Sequence, residues 1–539
     1  MRGELILING NIYTQDPACP RAQGVAIRGG RFIAVHDDDH VLARSWPGVQ
    51  VIDLEGRTVL PGLTDAHLHY AGWALGRRRL SLVAATSLAD LQAALKARAA
   101  ETSPGQWILG QGWNESDWPD PQMPRRWDLD AVAPEHPVVL WRSDFHLAVV
   151  NSAALQRAGI VPGTQAPPGG LIGRDAHGEP DGVLCDEALD LLGGVLPAPT
   201  EEELLDSMRR GFIGLHRLGL TGVHAFPGVA GTDDAVIFRA YQRLAEASDL
   251  DVRTWMLLPG GHLDAAVELG LRTGCGNGLL RVGHLKYFAD GSQGARTAWL
   301  SEPYVGGEDC GLPQTPIAEI ASAVRRADRA GLSAAIHAIG DRAIHELLLA
   351  LAPIVEERQR RETAIPAAPH RIEHVQITQP EDSARLAGLG LVASVQPIHA
   401  TDDITMVGQT IGSRGRWAYA FRDMLRAGVT LAFGSDAPVA DPNPLWGIHA
   451  AVTRQRRDGT PAGGWYPTQR LTVEEAVWAY TMGPAIAAGM RAELGSISAG
   501  KWADLTVLDR DIFHVDPMEI ADACAVMTVV AGDVVYRVE

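Results

Sequence analysis

Apolar and polar positions alternate along this chain in two textures. Near the N-terminus, short apolar runs (Leu5-Ile-Leu-Ile, Gly24-Val-Ala-Ile-Arg, Arg31-Phe-Ile-Ala-Val) are separated by Asn9-Gly-Asn and Gly29-Gly, the punctuation of strands and hairpins. The same texture returns only at the C-terminus, in Ala503-Asp-Leu-Thr-Val-Leu-Asp and in Val526-Met-Thr-Val-Val-Ala, where Gly532-Asp533 is placed to turn a hairpin. Short β segments at opposite ends of a chain need a shared core. This predicts a small β-sandwich built from residues 1–58 and 490–539, with a large domain inserted between them.

Between the ends, apolar runs alternate with helical segments. Candidate strands fall at 57–69, 219–226, 251–258, 280–290, 332–340, 370–376, 391–397 and 429–436. Asp341 is a candidate N-cap for a helix from Arg342 to Glu357, and Thr472 with Glu475 forms a capping-box pattern ahead of a buried helix from Ala476. Eight strand–helix repeats predict an α/β fold, a TIM (β/α)8 barrel over residues 59–489, whose chemistry belongs at the C-terminal ends of the strands. The first connection, 71–210, is too long for a simple crossover and must carry structure of its own. It leaves the catalytic end of the first strand and is placed to roof a site. Six of the fourteen tryptophans lie in it (Trp73, Trp107, Trp113, Trp118, Trp127 and Trp141), and most are expected to pack the insertion's own core.

Composition narrows the function classes. At 539 residues the chain exceeds the usual size of one hydrophobic core, and 46% hydrophobic with 21% charged residues is ordinary for a globular protein. A formal charge of −18 leaves no electrostatic footprint for nucleic acid or an anionic membrane. The N-terminal apolar run is too short for a signal sequence, and the apolar segment 476–490 is too short to span a bilayer, so the expected location is cytoplasmic. Five cysteines scattered without a Cys-x-x-Cys pair argue against a disulfide framework and a thiolate metal site. The expected partner is a small-molecule substrate, with a homodimer left open.

The strand ends carry the chemistry. His67 and His69, two apart on one strand, share a face about 7 Å apart along the chain. Lys286, His337, His374 and Asp436 stand at the ends of the predicted fourth, fifth, sixth and eighth strands. Singly each is unremarkable; six such groups at one end of a barrel form a candidate centre for a divalent ion. His284 shares a strand face with Lys286 but lies deeper, where a core role is expected.

Motifs along the chain carry a resemblance: Pro61-Gly-Leu-Thr-Asp-Ala-His-Leu-His, Gly112-Trp-Asn-Glu-Ser-Asp-Trp, His146 with Val150-Asn-Ser-Ala-Ala-Leu, Lys286-Tyr-Phe-Ala-Asp-Gly-Ser-Gln-Gly-Ala-Arg-Thr-Ala, Ile336-His-Ala-Ile-Gly-Asp-Arg-Ala, Arg371-Ile-Glu-His and Gly434-Ser-Asp-Ala-Pro. The chain resembles the amidohydrolase superfamily, and within it the YtcJ-like branch (amidohydrolase family 3), which includes N-substituted formamide deformylase. The resemblance implies a site with one or two divalent ions, zinc foremost. His67, His69 and Asp436 would hold one ion and His337 and His374 a second, bridged by Lys286 as an N-carboxylated lysine. It also implies hydrolysis of a non-peptide carbon–nitrogen bond in an N-formyl or N-acyl amine or a cyclic amide, with Asp436 as proton shuttle. Trp113, His146 and Arg296 are the expected substrate-facing groups, with His399 and Trp417 placed to complete the pocket. The alternatives are a mononuclear site with unmodified Lys286, a mononuclear deaminase or esterase, and a non-catalytic scaffold. In the deaminase the shuttle would be a glutamate such as Glu373, which strand alternation turns away if His374 faces the metal.

Overall fold

The computed structural model describes residues 3–143, 145–228, 233–361 and 368–538. Eight parallel strands form one sheet in chain order: β1 Leu63–Leu68, β2 Leu220–Ala225, β3 Arg253–Pro259, β4 Leu280–Phe288, β5 Ala334–Ala338, β6 Arg371–His374, β7 Val392–Val395 and β8 Thr430–Phe433. Every residue of β2, β5, β6 and β7 is buried, because helices cover one face and the barrel interior the other. The seam between β8 and β1 closes just past the end of β8. The Asp436 amide donates to the His67 carbonyl (2.7 Å), the His69 amide donates to the Ala437 carbonyl (2.9 Å), and Leu68 bridges to Ala437. Gly434 is required there: a Cβ on it would stand 2.4 Å from the His67 nitrogen.

The apolar run 57–69 is two strands. Thr58–Pro61 belongs to a terminal sheet and Leu63–Leu68 to the barrel, with Gly62 between them passing so close to Thr221 that a Cβ would lie 2.2 Å from its hydroxyl. A six-stranded sheet joins Asn11–Tyr13, Arg21–Ala22 and Thr58–Pro61 to Leu505–Leu508, Ala525–Val530 and Asp533–Arg537. It shares one core with a four-stranded sheet of Leu5–Ile8, Gly24–Arg28, Arg31–His36 and Gln50–Asp53, so that Leu5, Val25 and Val59 pack with Leu505, Met527 and Val529. The last hairpin turns at Ala531-Gly532, one residue earlier than the sequence suggested, with both φ angles positive, as the right-handed twist of a two-residue hairpin demands. Thr472 and Glu475 form their capping box, whereas Asp341 lies inside the first turn of helix Asp341–Gln359.

The first connection folds into a six-stranded sheet of its own, made of Leu80–Ser81, Ile108–Trp113, Val138–Arg142, Leu147–Val150, Leu171–Arg174 and Pro180–Cys185, with apolar clusters on it. Helix Glu201–Arg217, started by a Thr200/Glu203 capping box, then returns the chain to β2. A cavity of about 1750 Å³ lies between this insertion and the C-terminal end of the barrel. Among the described residues, no helix is long and apolar enough to cross a membrane.

Candidate metal centre

His67, His69, Lys286, His337, His374 and Asp436 all line that cavity. Their hydrogen bonds fix the protons on the rings. His69 Nδ1 lies 2.9 Å from the Pro227 carbonyl and His374 Nδ1 lies 2.9 Å from Gln396 Oε1. A carbonyl oxygen only accepts, so each Nδ1 carries the proton and each Nε2 keeps its lone pair. His67 Nδ1 likewise donates to Glu373 Oε2 at 2.7 Å. On His337 the pattern is reversed: Nε2 donates to the Gly291 carbonyl (3.2 Å), and Nδ1 keeps the lone pair. Outer partners of this kind hold imidazoles in the metal-binding tautomer.

Asp436 completes the first group of donors. Its φ of 61°, a left-handed conformation that aspartate tolerates, brings Oδ1 to 3.3 Å from His67 Nε2 and 3.5 Å from His69 Nε2. Ligands on a tetrahedral zinc with bonds of about 2.05 Å stand about 3.3 Å apart. A second group shares Asp436: the donor atoms of His374, His399 and Asp436 lie within 4.8 Å of one another, as do those of the first group. The buried Nε2 atoms of His67 and His399 have no hydrogen-bond partner among the described residues. Unpartnered imidazole nitrogens converging on one carboxylate fit a divalent cation.

Electrostatics agree with the tautomers. Burial, reinforced by the Lys286 cation for His67 and His337 and by the neighbouring His337 and His67 rings for His374, holds these three rings well below the ordinary histidine range and therefore neutral. Burial raises the Asp436 carboxyl against the pull of Lys286, and lowers Lys286 against the pull of Glu373 and Asp436. Lys286 Nζ sits in an apolar slot, 4.8 Å from the Phe226 ring centre and 4.7 Å from that of Phe288. Phe226 also stacks on His67 at 3.6 Å.

Several groups beneath the donors are ones the sequence reading passed over. Asp65 receives the amides of His67 (3.0 Å) and Ser435 (3.1 Å) and the Ser435 hydroxyl (2.6 Å), riveting β1 to the end of β8; burial pushes its carboxyl up to about 7. Asp290, also pushed up to about 7 by burial, takes the amides of Trp299, Ile339 and Gly340. The local signal for both was an acid inside an apolar motif, Thr64-Asp-Ala-His and Phe288-Ala-Asp-Gly. Glu373 needs a correction. It faces the site along with His374, because the φ of 73° at His374 takes the chain out of the β region and ends the alternation. Glu373 is fully buried and also receives Arg371 Nε at 2.6 Å, so its carboxylate is committed to Arg371 and His67 and is unavailable as a shuttle.

The expected substrate-facing groups divide. His146 lines the cavity, its Nδ1 2.7 Å from Asp186 Oδ1. Trp113 does not face the cavity: it is fully buried in the insertion core, packed in the apolar cluster with Trp118 and Leu140 and its indole donating to the Leu140 carbonyl. Arg296 is turned outward to tie its loop, donating to the Val305 carbonyl (2.8 Å) and lying over the Tyr304 ring. Trp417 pairs with Arg416 away from the cavity wall, whereas His399 lies on it. Of the insertion's tryptophans, Trp73, Trp118 and Trp141 reach the cavity. His284 is core, accepting from Trp255 Nε1 (3.0 Å) and donating to the Pro369 carbonyl (2.9 Å).

Comparison with known proteins gives matches along nearly the whole length. The model of a family described as the amidohydrolase family matches residues 50–536. The putative amidohydrolase YtcJ of Bacillus subtilis (strain 168) is 31% identical over 98% of this chain and 98% of its own. N-substituted formamide deformylase of Arthrobacter pascens is 30% identical over 99% of this chain and 98% of its own. A crystal structure of an uncharacterized metal-dependent hydrolase from Pyrococcus horikoshii OT3 is similar with a TM-score of 0.77 and 27% identity, over 95% of this chain and 98% of that one.

Proposed function

Because the chain belongs to the amidohydrolase family and is a metal-dependent hydrolase of carbon–nitrogen bonds other than peptide bonds, we propose that it cleaves a non-peptide amide, with Asp436 as proton shuttle. N-formyl amines, N-acyl amines and cyclic amides are the substrate types proposed. The observation that carries this reading is the convergence of lone pairs from His67, His69 and His374, with the His399 ring beside them, on the Asp436 carboxylate at the floor of the cavity.

Neutral imidazoles and a carboxylate are the donor set of zinc, and zinc is the ion we propose. Such an ion, when bound, supplies a water acidified from about 15.7 towards about 7 and a polarised substrate carbonyl. Asp436 would accept a proton from the attacking water and deliver it to the leaving nitrogen. His146, oriented by Asp186, would hold the substrate from the roof. Lys286 is proposed to be N-carboxylated. Its buried ammonium forms no ion pair with a carboxylate among the described residues, a costly state, and its carbamate would be an oxygen donor able to touch two ions.

The test is a panel of N-formyl amines, N-acyl amines, cyclic amides, amino-heterocycles and esters, with acid and ammonia release measured separately and metal content determined on the same preparation. Asp436→Asn is expected to keep most of its metal and lose about 100- to 10,000-fold in kcat. Turnover near the wild-type rate would sink the shuttle assignment. Ammonia release without acid would make the enzyme a deaminase.

A further inference from the structure

The roof of the cavity carries a cation that no acid of the described residues answers. In the insertion sheet, Leu80, Gly110 and Leu140 stand opposite one another on three neighbouring strands, and the next register row is Ser81, Gln111 and Trp141. Successive residues of a strand face opposite ways. Leu80 and Leu140 pack in the apolar cluster of the insertion, and Ser81, Gln111 and Trp141 line the cavity. Arg79, just ahead of the first of these strands, lies over that row: its guanidinium carbon is 4.7 Å from the Trp141 ring centre, and Nη1 donates to Gln111 Oε1 at 3.2 Å. Gln111 is itself pressed against Gly76, where a Cβ would stand 2.6 Å from Nε2. Arg79 lines the cavity and is half-buried, and its remaining nitrogens are not sealed in as Arg281 Nε and Arg454 Nη2 are. Arg78 beside it pairs with Glu203, and Arg142 pairs with Glu115. Arg79 forms no ion pair with a carboxylate among the described residues. Burial alone takes its pKa down to about 10, which leaves it charged at neutral pH.

A guanidinium presents a planar fork of donors matched to a carboxylate, and a desolvated cation without a counter-charge is costly. The place of Arg79 in the chain sets where that carboxylate would sit. Helix Tyr70–Gly76 starts from His69, rises about 10 Å, and ends three residues before Arg79. The His69 ring is acted on by Lys286 and Glu373 but not by this guanidinium. Acids elsewhere on the lining, Asp186, Glu187 and Asp190 among them, favour a singly charged anion over a phosphate. Building on the amide reading above, we propose that Arg79 is a carboxylate subsite, with Trp141 as its floor and Gln111 as its brace, and that the preferred substrates are amides carrying a carboxylate several bonds from the scissile carbon–nitrogen bond. The carboxylate docks on the roof while the amide reaches the donors on the barrel.

The test uses the metal-containing enzyme and three formamides: N-formyl-6-aminohexanoate; N-formylhexylamine, which has a methyl group in place of the carboxylate; and N-formylglycine, whose carboxylate is one carbon from the amide nitrogen. Two quantities are read for each: kcat/KM, and the dissociation constant from stopped-flow quenching of intrinsic tryptophan fluorescence, to which Trp141 beneath Arg79 contributes. The wild type is expected to bind N-formyl-6-aminohexanoate about 10- to 100-fold more tightly than either of the others. Arg79→Met keeps the apolar stem and removes the cation, and is expected to bring the two six-carbon probes within about threefold, chiefly by weakening the carboxylate probe. Arg79→Lys keeps a point charge without the fork; it is the second variant should the first not fold, and is expected to retain only part of the preference. Equal affinities for the two six-carbon probes in the wild type, as when water alone satisfies the guanidinium, or a preference undiminished in either variant, would overturn the proposal. N-formylglycine bound as tightly as the longer carboxylate would overturn the placement of the anion. Absence of turnover with the binding preference intact would count against the hydrolytic reading and leave this one standing.

Discussion

Glu373 shows how much of this centre depends on a residue that touches no substrate. Its carboxylate takes His67 Nδ1 on one side and two nitrogens of Arg371 on the other, while Arg371 reaches the Ala66 carbonyl, Ser394 Oγ and His224 Nδ1. Glu373→Gln replaces an ionised acceptor with an amide that cannot serve all three donors. Metal affinity is expected to fall about 10- to 100-fold, read by competition with a chromophoric chelator; unchanged affinity would mean that His67 is oriented by its Phe226 stack alone. His284 sets a second expectation. Burial takes its pKa down to about 3, so the folded state keeps it neutral while the unfolded chain protonates it near 6.5. Below pH 6.5 the unfolded state binds the extra proton, so stability falls as pH falls, by up to about 1.4 kcal/mol per pH unit from this ring until its folded pKa is reached. His284→Gln, compared with wild type by urea unfolding between pH 7 and 5, should have the shallower acid limb.

At the scale of elements, the decisive feature is the β8–β1 seam. The site is assembled where the last strand returns to the first, and each side supplies what the other needs: β1 and the residue that follows it give His67 and His69, the turn after β8 gives Asp436, and Asp65 bolts them together. Gly434→Ala would put a methyl group against the His67 backbone nitrogen and Asp65 Oδ1, neither of which is a flexible end. The strands must then part. The expected result is a lowered Tm with disproportionate loss of bound metal, checked by thermal melts on metal-loaded and chelator-treated protein; a variant that melts lower but keeps full metal would separate the seam from the ligands. The same geometry explains a failure of alternation. Period-two reasoning holds through Ile372, and it stops at His374 because the chain there has a positive φ, a change of backbone state that no side-chain pattern announces.

Across the whole molecule, the barrel is tied to the terminal sheets by a buried ion pair. Arg253 on β3 and Asp504, just before Leu505–Leu508, are both 8% exposed at the side chain, and Asp504 Oδ1 also receives the Ala531 amide at 2.8 Å. Asp504→Ala would strand the guanidinium. Breaking such a pair costs about 3–5 kcal/mol, expected as a fall in the urea midpoint with kcat of the folded fraction unchanged, since this junction lies at the opposite end of the barrel from the donors. An unaltered midpoint would show that the shared apolar core alone joins the two parts.

The sequence by itself determined the alternation of eight buried strands with helices, the return of β texture at both ends, and the histidines, lysine and aspartate at the strand ends. Those features are periodic or local: a parallel strand covered on both faces must be continuously apolar, and a ligand at its end interrupts that run visibly. Tertiary structure alone decided which way each side chain faces once the strand stops. Trp113 and Arg296 sit in motifs no different in texture from those of His146 and His399, yet they turn into the insertion core and out to their own loop, because Leu140, on the neighbouring strand of the insertion, and Val305, nine residues on in the same loop, offer the hydrogen bonds. His399 joins His374 at Asp436 across a fold that brings 374, 399 and 436 together. Burial and pairing are properties of the closed barrel, so the proton positions, displaced pKa values and orphaned acceptors that give the site its chemistry exist only once it has closed.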